Sequence, residues 1–338
     1  MTAIRANDAK SPTSRSTSGT SPEPHVKARL DISRATLIFN VTHHQWWRER
    51  QRNDGGDGRP KSDAERKDPR NLGECPAEPR RRLRGAWIRK EALQVTDLVE
   101  AAFEAHGGRD RWERLKRIEF DLDGGGLLLE LRRNPEALRH QRVAVDMTRP
   151  HVVYHGFTGE GRRGVFTPEC VWIEESDGST LSALDQPRAS FAELERHAGW
   201  SDLQVLYFGG YAIWNYTLGP LLFLQPGASV KEIEPWREDG ETWRRLSVRL
   251  PDGFHTHTPQ QTFYFDENFL LRRLDYHVDI VGEVIPTAHY LADYQEVEGV
   301  KLALRRFAVP RNPDGTRGDD LVFMRLALSN PAATYGDG

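Results

Sequence analysis

The stretch from Trp243 to Leu328 constrains the fold most, because it repeats one pattern: a short β-rich run followed by a turn signal. The runs are TWRRLSVRL, QQTFYFDE, LLRRLDYHVDIV, TAHYLADYQEV, VKLALRRFAV and DDLVFMRLAL. Turn-forming residues such as Pro251-Asp252-Gly253 and Pro313-Asp314-Gly315 separate them. Consecutive short strands at this spacing are typical of a sandwich, a barrel or a curved meander sheet.

Residues 1–93 differ from the rest in composition. Ser, Thr, Pro, Gly, Arg and Asp dominate them, and residues 1–90 carry 20 Lys and Arg against 11 Asp and Glu. Such a segment buries too little apolar surface to offset the entropy of ordering its backbone, so we predict a disordered basic tail. An alternative is a mis-assigned start, with the true one near Val95. The remaining chain has a net charge of −12, which argues against nucleic acid as a partner.

From residue 94 the pattern changes to that of an ordered domain. Val95, Leu98, Val99, Ala102 and Phe103 have helical spacing, which predicts an N-terminal amphipathic helix. Six strands are predicted next, at 117–122, 127–132, 142–147, 152–157, 164–167 and 170–175. A helical insert is predicted at 187–225, capped at Ser201 and interrupted at Gly209-Gly210 and at Gly219-Pro220.

The fold class that follows is α+β, in a single domain over 94–330. About 11–13 antiparallel strands in sequence must curl into a strongly curved sheet or an incomplete β-barrel. The N-terminal helix and the insert 187–225 are then available to cover the open mouth or the concave face. We therefore interpret the insert as a lid.

The order of these elements resembles that of the LolA-type lipoprotein carriers, in which an incomplete barrel wraps a hydrophobic cavity under helices. The resemblance covers roughly 94–328 and includes the opening AAFEAHGGRDRWERLKRIEF. The segments YFGGYAIWNY, THTPQQTFYFD and LDYHVDI with AHYLADYQEVEGVKL are similar to those of a bacterial protein family without an assigned activity. The resemblance implies hydrophobic-ligand binding. The sequence shows neither an export signal nor a lipidation cysteine, so periplasmic lipoprotein transport does not follow from it.

Aromatic residues of the insert are the first candidates for ligand contact. Large rings with polar tips, interleaved with Gly209 and Gly210, suit a lid over an apolar ligand. The alternative is that they form the core between helix and sheet. The full predicted ligand-binding set combines them with polar residues of the strands: Tyr207, Phe208, Tyr211, Trp214, His257, Gln261, Tyr264, His277, His289 and Tyr290.

The histidines support a second hypothesis, an enzyme that uses the same cavity. His255 and His257 would project to one side of a strand and, with His277 or His289, would suit a metal. Alternatively, His277 and His289 would act as general acid and base together with Asp275, Asp279 or Tyr290. The sequence contains no motif with the spacing of a nucleophile elbow, a phosphate-binding loop, a dinucleotide-binding site or a zinc finger, and this argues against both versions. A third hypothesis is an interaction domain whose own helices fill the concave face.

We favour a non-catalytic protein that binds or carries an apolar or lipid-like small molecule in a lidded β cavity. No catalytic residue, metal or cofactor is predicted. The N-terminus lacks an apolar signal segment and no run of apolar residues is long enough to span a membrane, so a cytoplasmic location is expected.

Overall fold

The computed structural model describes residues 97–192, 194–195, 198–281, 285–318 and 321–336. The predicted tail 1–93 and the alternative start near Val95 lie outside these residues. Within them, no helix combines the length and the apolar composition that a membrane crossing requires.

Thirteen strands of the described chain form one sheet. Their bounds are β1 Leu115–Gly125, β2 Gln141–Asp146, β3 His151–His155, β4 Arg163–Phe166, β5 Cys170–Glu174, β6 Thr180–Asp185, β7 Ser229–Glu238, β8 Glu241–Arg249, β9 Gln260–Phe265, β10 Leu271–Val278, β11 Ile285–Val297, β12 Val300–Pro310 and β13 Met324–Tyr335. The spatial order runs from β6 back to β1, then from β13 back to β7. All neighbours are antiparallel.

The sheet is open between β6 and β7, which are its two edge strands. Strands β1 and β13 pair along most of their length, from Leu115 with Tyr335 to Gly125 with Arg325. The predicted large antiparallel sheet of about 11–13 strands is therefore confirmed, and its open edges agree with an incomplete barrel. The chain between the two edge strands is the helical insert.

The helices are few and short apart from one. They are α1 Asp97–Ala105, α2 Arg109–Arg114, α3 Leu127–Leu131 and α4 Asp202–Leu218, with 3₁₀ helices at Pro187–Phe191, Gly219–Leu224 and Asp279–Val281. The strand predicted at 127–132 is wrong, because this segment is α3. Its three leucines are all buried, and a continuous apolar run of this kind does not distinguish a buried strand from a buried helical turn.

The two faces of the sheet are defined by α4, which packs against β2 to β6. We call that side the inner face and the opposite side the outer face. Inner-face side chains such as Phe120, Val143, Phe263 and Tyr276 belong to the main hydrophobic core. A smaller cluster on the outer face is built from Trp243, Tyr264, Ala288, Tyr290 and Val309.

Candidate functional site

Helix α4 is the central element of the candidate site. Ser201 and Gln204 form a capping box at its start, in which the backbone N–H of Gln204 donates to the Ser201 hydroxyl at 3.2 Å. This confirms the predicted cap. Fifteen of the seventeen helix residues are buried, so the helix is covered around its whole circumference.

The predicted interruption of α4 at Gly209-Gly210 is wrong, whereas the one at Gly219 is confirmed. The helix runs through the glycine pair because those positions contact the sheet. A Cβ on Gly210 would lie 2.3 Å from Cγ of Phe166, and one on Gly209 would lie 3.1 Å from Leu138. The glycines therefore permit close packing on the β2–β6 half of the sheet, which a bulkier residue would prevent.

The other side of α4 meets the connection between β8 and β9 through hydrogen bonds. The Tyr207 hydroxyl lies 2.8 Å from Nδ1 of His255, and the Tyr211 hydroxyl lies 2.9 Å from Nδ1 of His257. The Asn215 amide donates to the backbone oxygen of His255 at 2.8 Å. Residues 207, 211 and 215 share one helix face because they are four apart. The predicted site residues Tyr207, Tyr211 and His257 are thus brought together.

The contacts continue across the inner face as a chain of four hydrogen bonds, which we call the Tyr–His seam. It runs from Tyr211 to His257, Tyr216, Tyr276 and His289. The distances after the first bond are 2.7 Å between Tyr216 and His257 Nε2, 2.9 Å between Tyr216 and Tyr276, and 3.3 Å between Tyr276 and His289 Nδ1. The Tyr276 ring also stacks on His257 at 4.3 Å.

Burial keeps the seam uncharged. It lowers the pKa of His257 to about 3, assisted by Arg188, and lowers that of His289 well below its usual value. Burial raises the pKa of Tyr211 and Tyr276 well above the ordinary value. The imidazoles are therefore neutral and the phenols protonated at neutral pH, and each group has a single proton to donate.

This state limits the chemistry of the seam. If the His257 proton is on Nδ1, Nε2 accepts from the Tyr216 hydroxyl, which in turn accepts from the Tyr276 hydroxyl. The tautomer of His257 therefore determines which group donates and which accepts in every bond of the seam. Neutral groups in this arrangement can accept and relay hydrogen bonds. A general base that acts near neutral pH needs a pKa close to that pH, and the lowered pKa of His257 does not meet this requirement.

The surface end of the site is formed by an ion pair. Arg188, in the first 3₁₀ helix of the insert, lies 2.6 Å from Oδ2 of Asp279 and donates to the Tyr207 hydroxyl at 3.3 Å. Burial raises the pKa of Asp279, and Arg188 opposes this shift. Beside them, burial and then Arg188 lower the pKa of His255 to about 4.

Two further predicted aromatic residues are buried beside the seam. Phe208 lies against Trp200, with ring centres 5.1 Å apart, and against His257 at 5.6 Å. Trp214 donates its indole N–H to the backbone oxygen of Asp146 at 3.1 Å and faces Phe254. Both rings pack between α4 and its surroundings, in agreement with the core alternative for the insert aromatics.

The remaining predicted site residues are divided between the two faces. Gln261 is on the inner face, where its amide donates to the Thr256 hydroxyl at 2.6 Å. Tyr264 and Tyr290 belong to the outer cluster. The β10–β11 register places His289 opposite Leu274 and His277 opposite Pro286. Because 274 and 277 are an odd number of residues apart, His277 projects to the outer face, away from His289.

The outer face contains a buried ionic cluster centred on Arg273, whose side chain is 0% exposed. Arg273 donates to both carboxylate oxygens of Asp275, at 2.6 and 2.9 Å, and to Glu238 at 2.5 Å. Tyr264 donates to Asp275 at 2.7 Å, and burial together with Asp275 raises the pKa of Tyr264 to about 12. Tyr290 donates to Glu238 at 2.5 Å. Tyr264 and Tyr290 thus support an ion pair.

In the part of the chain that the structure describes, no group of three or more His, Cys, Asp or Glu is arranged to hold a metal ion. The histidines named in the metal hypothesis have other partners or positions. His255 bonds Tyr207, His257 bonds Tyr211 and Tyr216, and His277 is on the opposite face from His289.

Several residues of the seam and of the ionic cluster were not among the predicted site residues. Tyr216 is one of the insert aromatics that suit a lid, although the predicted ligand-binding set does not contain it. In the sequence, Leu274, Tyr276 and Val278 alternate with Asp275 and His277, which predicts a half-buried strand with Tyr276 in the core. Tyr276 is buried. Arg188 and Arg273 are isolated charges in the sequence, with partners that only the tertiary fold brings close.

Comparison with known proteins gives structural similarities only. No protein-family model and no curated protein sequence matches this chain. A LolA superfamily protein from Nitrosomonas europaea is similar at a TM-score of 0.41 and 11% identity, over 73% of this chain and 96% of that one. A DUF1329 family protein from Desulfovibrio piger gives 0.39 and 10%, over 72% and 95%.

The lipoprotein LppX of Mycobacterium tuberculosis is similar at a TM-score of 0.26 and 11% identity, over 69% of this chain and 95% of that one. A protein of the LolA superfamily, which the sequence resembles, is thus among the structures that are similar to this chain. At TM-scores below 0.5 the similarity does not extend to a ligand or an activity.

Proposed function

We propose that this protein binds an apolar or lipid-like small molecule on the inner face of its sheet, with α4 as a displaceable cover. The main observation in support is that a single helical insert lies over the broad apolar inner face. The described residues of this insert form no strand pairing with the sheet. The insert is attached to the two open edges, because it connects β6 to β7.

The two sides of α4 differ in how they are held. Toward β2–β6 the helix is fixed by close apolar packing at Gly209 and Gly210. On its other side it is held by the neutral side-chain hydrogen bonds of the seam and by two arginines. Arg306 of β12 donates to the backbone oxygen of Tyr216 at 3.1 Å, and Arg188 donates to the Tyr207 hydroxyl. A net hydrogen bond contributes about 0.5–1.5 kcal/mol, so breaking the three seam bonds that involve α4 costs on the order of 3 kcal/mol.

A lipid-like ligand can supply that energy. Each buried methylene contributes about 0.8 kcal/mol, so an acyl chain of roughly ten methylenes gains on the order of 8 kcal/mol. The ligand would also cover the apolar surface that α4 leaves as it moves. The Tyr211 phenol would move with α4 to the edge of the opening, where it can bond a polar head group.

The test is the binding of a fluorescent fatty acid, with palmitate as the competitor. We expect saturable, competable binding. Trp214→Ala should weaken it by roughly 1–3 kcal/mol, the transfer free energy of a buried aromatic side chain. Tyr216→Phe should tighten it several-fold, since it removes two bonds of the seam that must open. Leu181→Ser, at a residue of β6 that is 49% exposed, is the matched control.

Two results would overturn the proposal. One is the absence of saturable binding by a wild-type protein whose near-ultraviolet circular dichroism shows a folded core. The other is a Trp214→Ala variant that unfolds the domain while Tyr216→Phe leaves affinity unchanged, because α4 would then be fixed core.

A further inference from the structure

A cavity of about 360 Å³ lies on the outer face, opposite α4. Strands β7 to β10 form its floor, and the connection between β12 and β13 forms one wall. Its lining includes Trp236, Arg245, Tyr264, His277 and Arg311. The volume is at the lower end of the range for small-molecule sites. Gln261 and Tyr276, whose side-chain hydrogen bonds are on the inner face, also line it.

The wall is pre-organised by its own hydrogen bonds. Asn312 and Thr316 bond through their backbones at 2.9 Å, and Asp314 accepts from both the backbone and the hydroxyl of Thr316. The Gly315 oxygen accepts from Arg273 at 2.6 Å, and a Cβ on Gly315 would meet the Trp236 ring at 3.0 Å. A wall fixed in this way loses little conformational entropy when a ligand binds.

Two cations of the cavity have unused hydrogen-bonding capacity. Nε of Arg311 is shielded from solvent and donates no hydrogen bond to any group in the described ranges. It lies 3.5 Å from Oδ2 of Asp275. Arg245 donates through Nε to the backbone oxygen of Glu234 and has no carboxylate partner within the described residues. Its guanidinium lies 5.6 Å from the Trp236 ring centre.

The two acids that line the cavity are already occupied. Asp275 accepts two bonds from Arg273 and one from Tyr264. Asp314 is committed to Thr316. A buried donor without an acceptor is costly, and a guanidinium recognises an oxyanion through parallel N–H bonds. The cavity therefore offers cationic donors beside an aromatic wall, with Asp275 paired to Arg273 and Asp314 bonded to Thr316.

We infer that this outer-face cavity is a binding site for a small planar organic carboxylate. The carboxylate would accept from Arg311, with Arg245 and His277 at its sides, and the planar body would lie against Trp236. This inference does not rest on the proposed function, because Arg245, His277 and Trp236 are on the outer face of the sheet and α4 is on the inner face.

Benzoate is the probe, with its neutral isostere benzamide, followed by isothermal titration calorimetry and thermal shift. We expect saturable benzoate binding and none for benzamide. Arg311→Gln should weaken benzoate at least tenfold and leave fatty-acid binding unchanged. Arg305→Gln, at an exposed arginine of β12, the strand that precedes Arg311, should have no effect. Arg245→Gln, expected to weaken benzoate several-fold, keeps the test decisive should Arg311→Gln fail to fold.

The inference fails if benzoate does not saturate the wild-type protein, or if benzamide binds equally well. It also fails if folded Arg311→Gln and Arg245→Gln proteins both bind benzoate with wild-type affinity.

Discussion

Strand β10 presents two buried polar networks of opposite character on its two faces. On the inner face, Tyr276 belongs to a seam of neutral phenols and imidazoles. On the outer face, Arg273 and Asp275 belong to an ionic cluster. Both are shielded from water, yet loss of a partner has different consequences. A neutral group left unpaired costs the energy of about one hydrogen bond, whereas a buried charge left unpaired costs several times more.

The largest effect is expected on the ionic side. Arg273→Met would leave Asp275 and Glu238 buried without their shared cation. Breaking a buried ion pair by removing one partner costs about 3–5 kcal/mol. Urea unfolding should show this loss, and Arg272→Met, at the partly exposed neighbour, should stay within about 0.5 kcal/mol of wild type. Equal losses for the two variants would contradict the assignment of faces along β10.

On the inner side, Tyr276→Ala should cost about 3 kcal/mol, as large aromatic truncations in cores do. Tyr276→Phe isolates the hydroxyl, and its loss should cost about 1 kcal/mol because the bonds to Tyr216 and His289 disappear. Asp279→Ala should cost little, since its bond to Arg188 is a partly exposed pair. Chemical denaturation measures all three. A phenylalanine variant as unstable as the alanine variant would mean that hydrogen bonding, rather than packing, dominates the seam.

Acid should reveal the neutral character of the seam. The pKa of His257 is about 3 in the folded protein and about 6.5 when unfolded. Between these values the unfolded chain binds a proton that the folded protein does not, so stability rises with pH up to 6.5 and then levels. His257 alone should therefore remove about 2 kcal/mol on going from pH 7.5 to pH 5.

His257→Gln should flatten this dependence, and His140→Asn, at an exposed histidine, should not. Unfolding free energies at pH 7.5, 6 and 5 provide the measurement. An unchanged slope in His257→Gln would show that His257 is not buried as a neutral group.

The apolar side of α4 should give an effect comparable to that of His257 in acid. Gly210→Ala would bring a Cβ to 2.3 Å from the Phe166 ring, and the resulting overpacking should cost about 1–3 kcal/mol. Thermal unfolding should show it. Gly178→Ala is the control for an added methyl group in open space, with the strain of its positive φ as its only cost. A neutral Gly210→Ala would mean that α4 adjusts freely over β4, and would favour an easily displaced cover.

Much of the sheet was predictable because residue alternation directly reports strands. Leu274, Tyr276 and Val278 share the inner face as their spacing predicts, and all are buried. Asp275 projects to the opposite face from Tyr276, as the alternation predicts. It is nevertheless buried there, with only 7% of its surface exposed. The connection between β12 and β13 shields Asp275 from solvent. This connection is about 40 residues away in the sequence, so the local pattern around Asp275 does not predict the shielding.

The candidate site was predictable only in its residue types. Tyr207, Tyr211, His257 and His289 were predicted as one set with Tyr264, His277 and Tyr290, and the structure separates them by face. The separation depends on the β10–β11 register, which a one-residue shift would reverse. Gly209-Gly210 suggested a break because glycine weakens an isolated helix, whereas here Phe166 requires the close approach.

The pairing of β1 with β13 bears on how the chain acquires its structure during synthesis. Every other strand pair joins elements that are consecutive in sequence, so two local meanders, β1–β6 and β7–β13, can form at low contact order. Joining Leu115 to Tyr335 closes a very long loop, which slows that step. Helix α4 emerges from the ribosome between the two halves and packs on β2–β6, which precede it. We therefore expect its apolar surface to be sheltered early and the Tyr–His seam to assemble last.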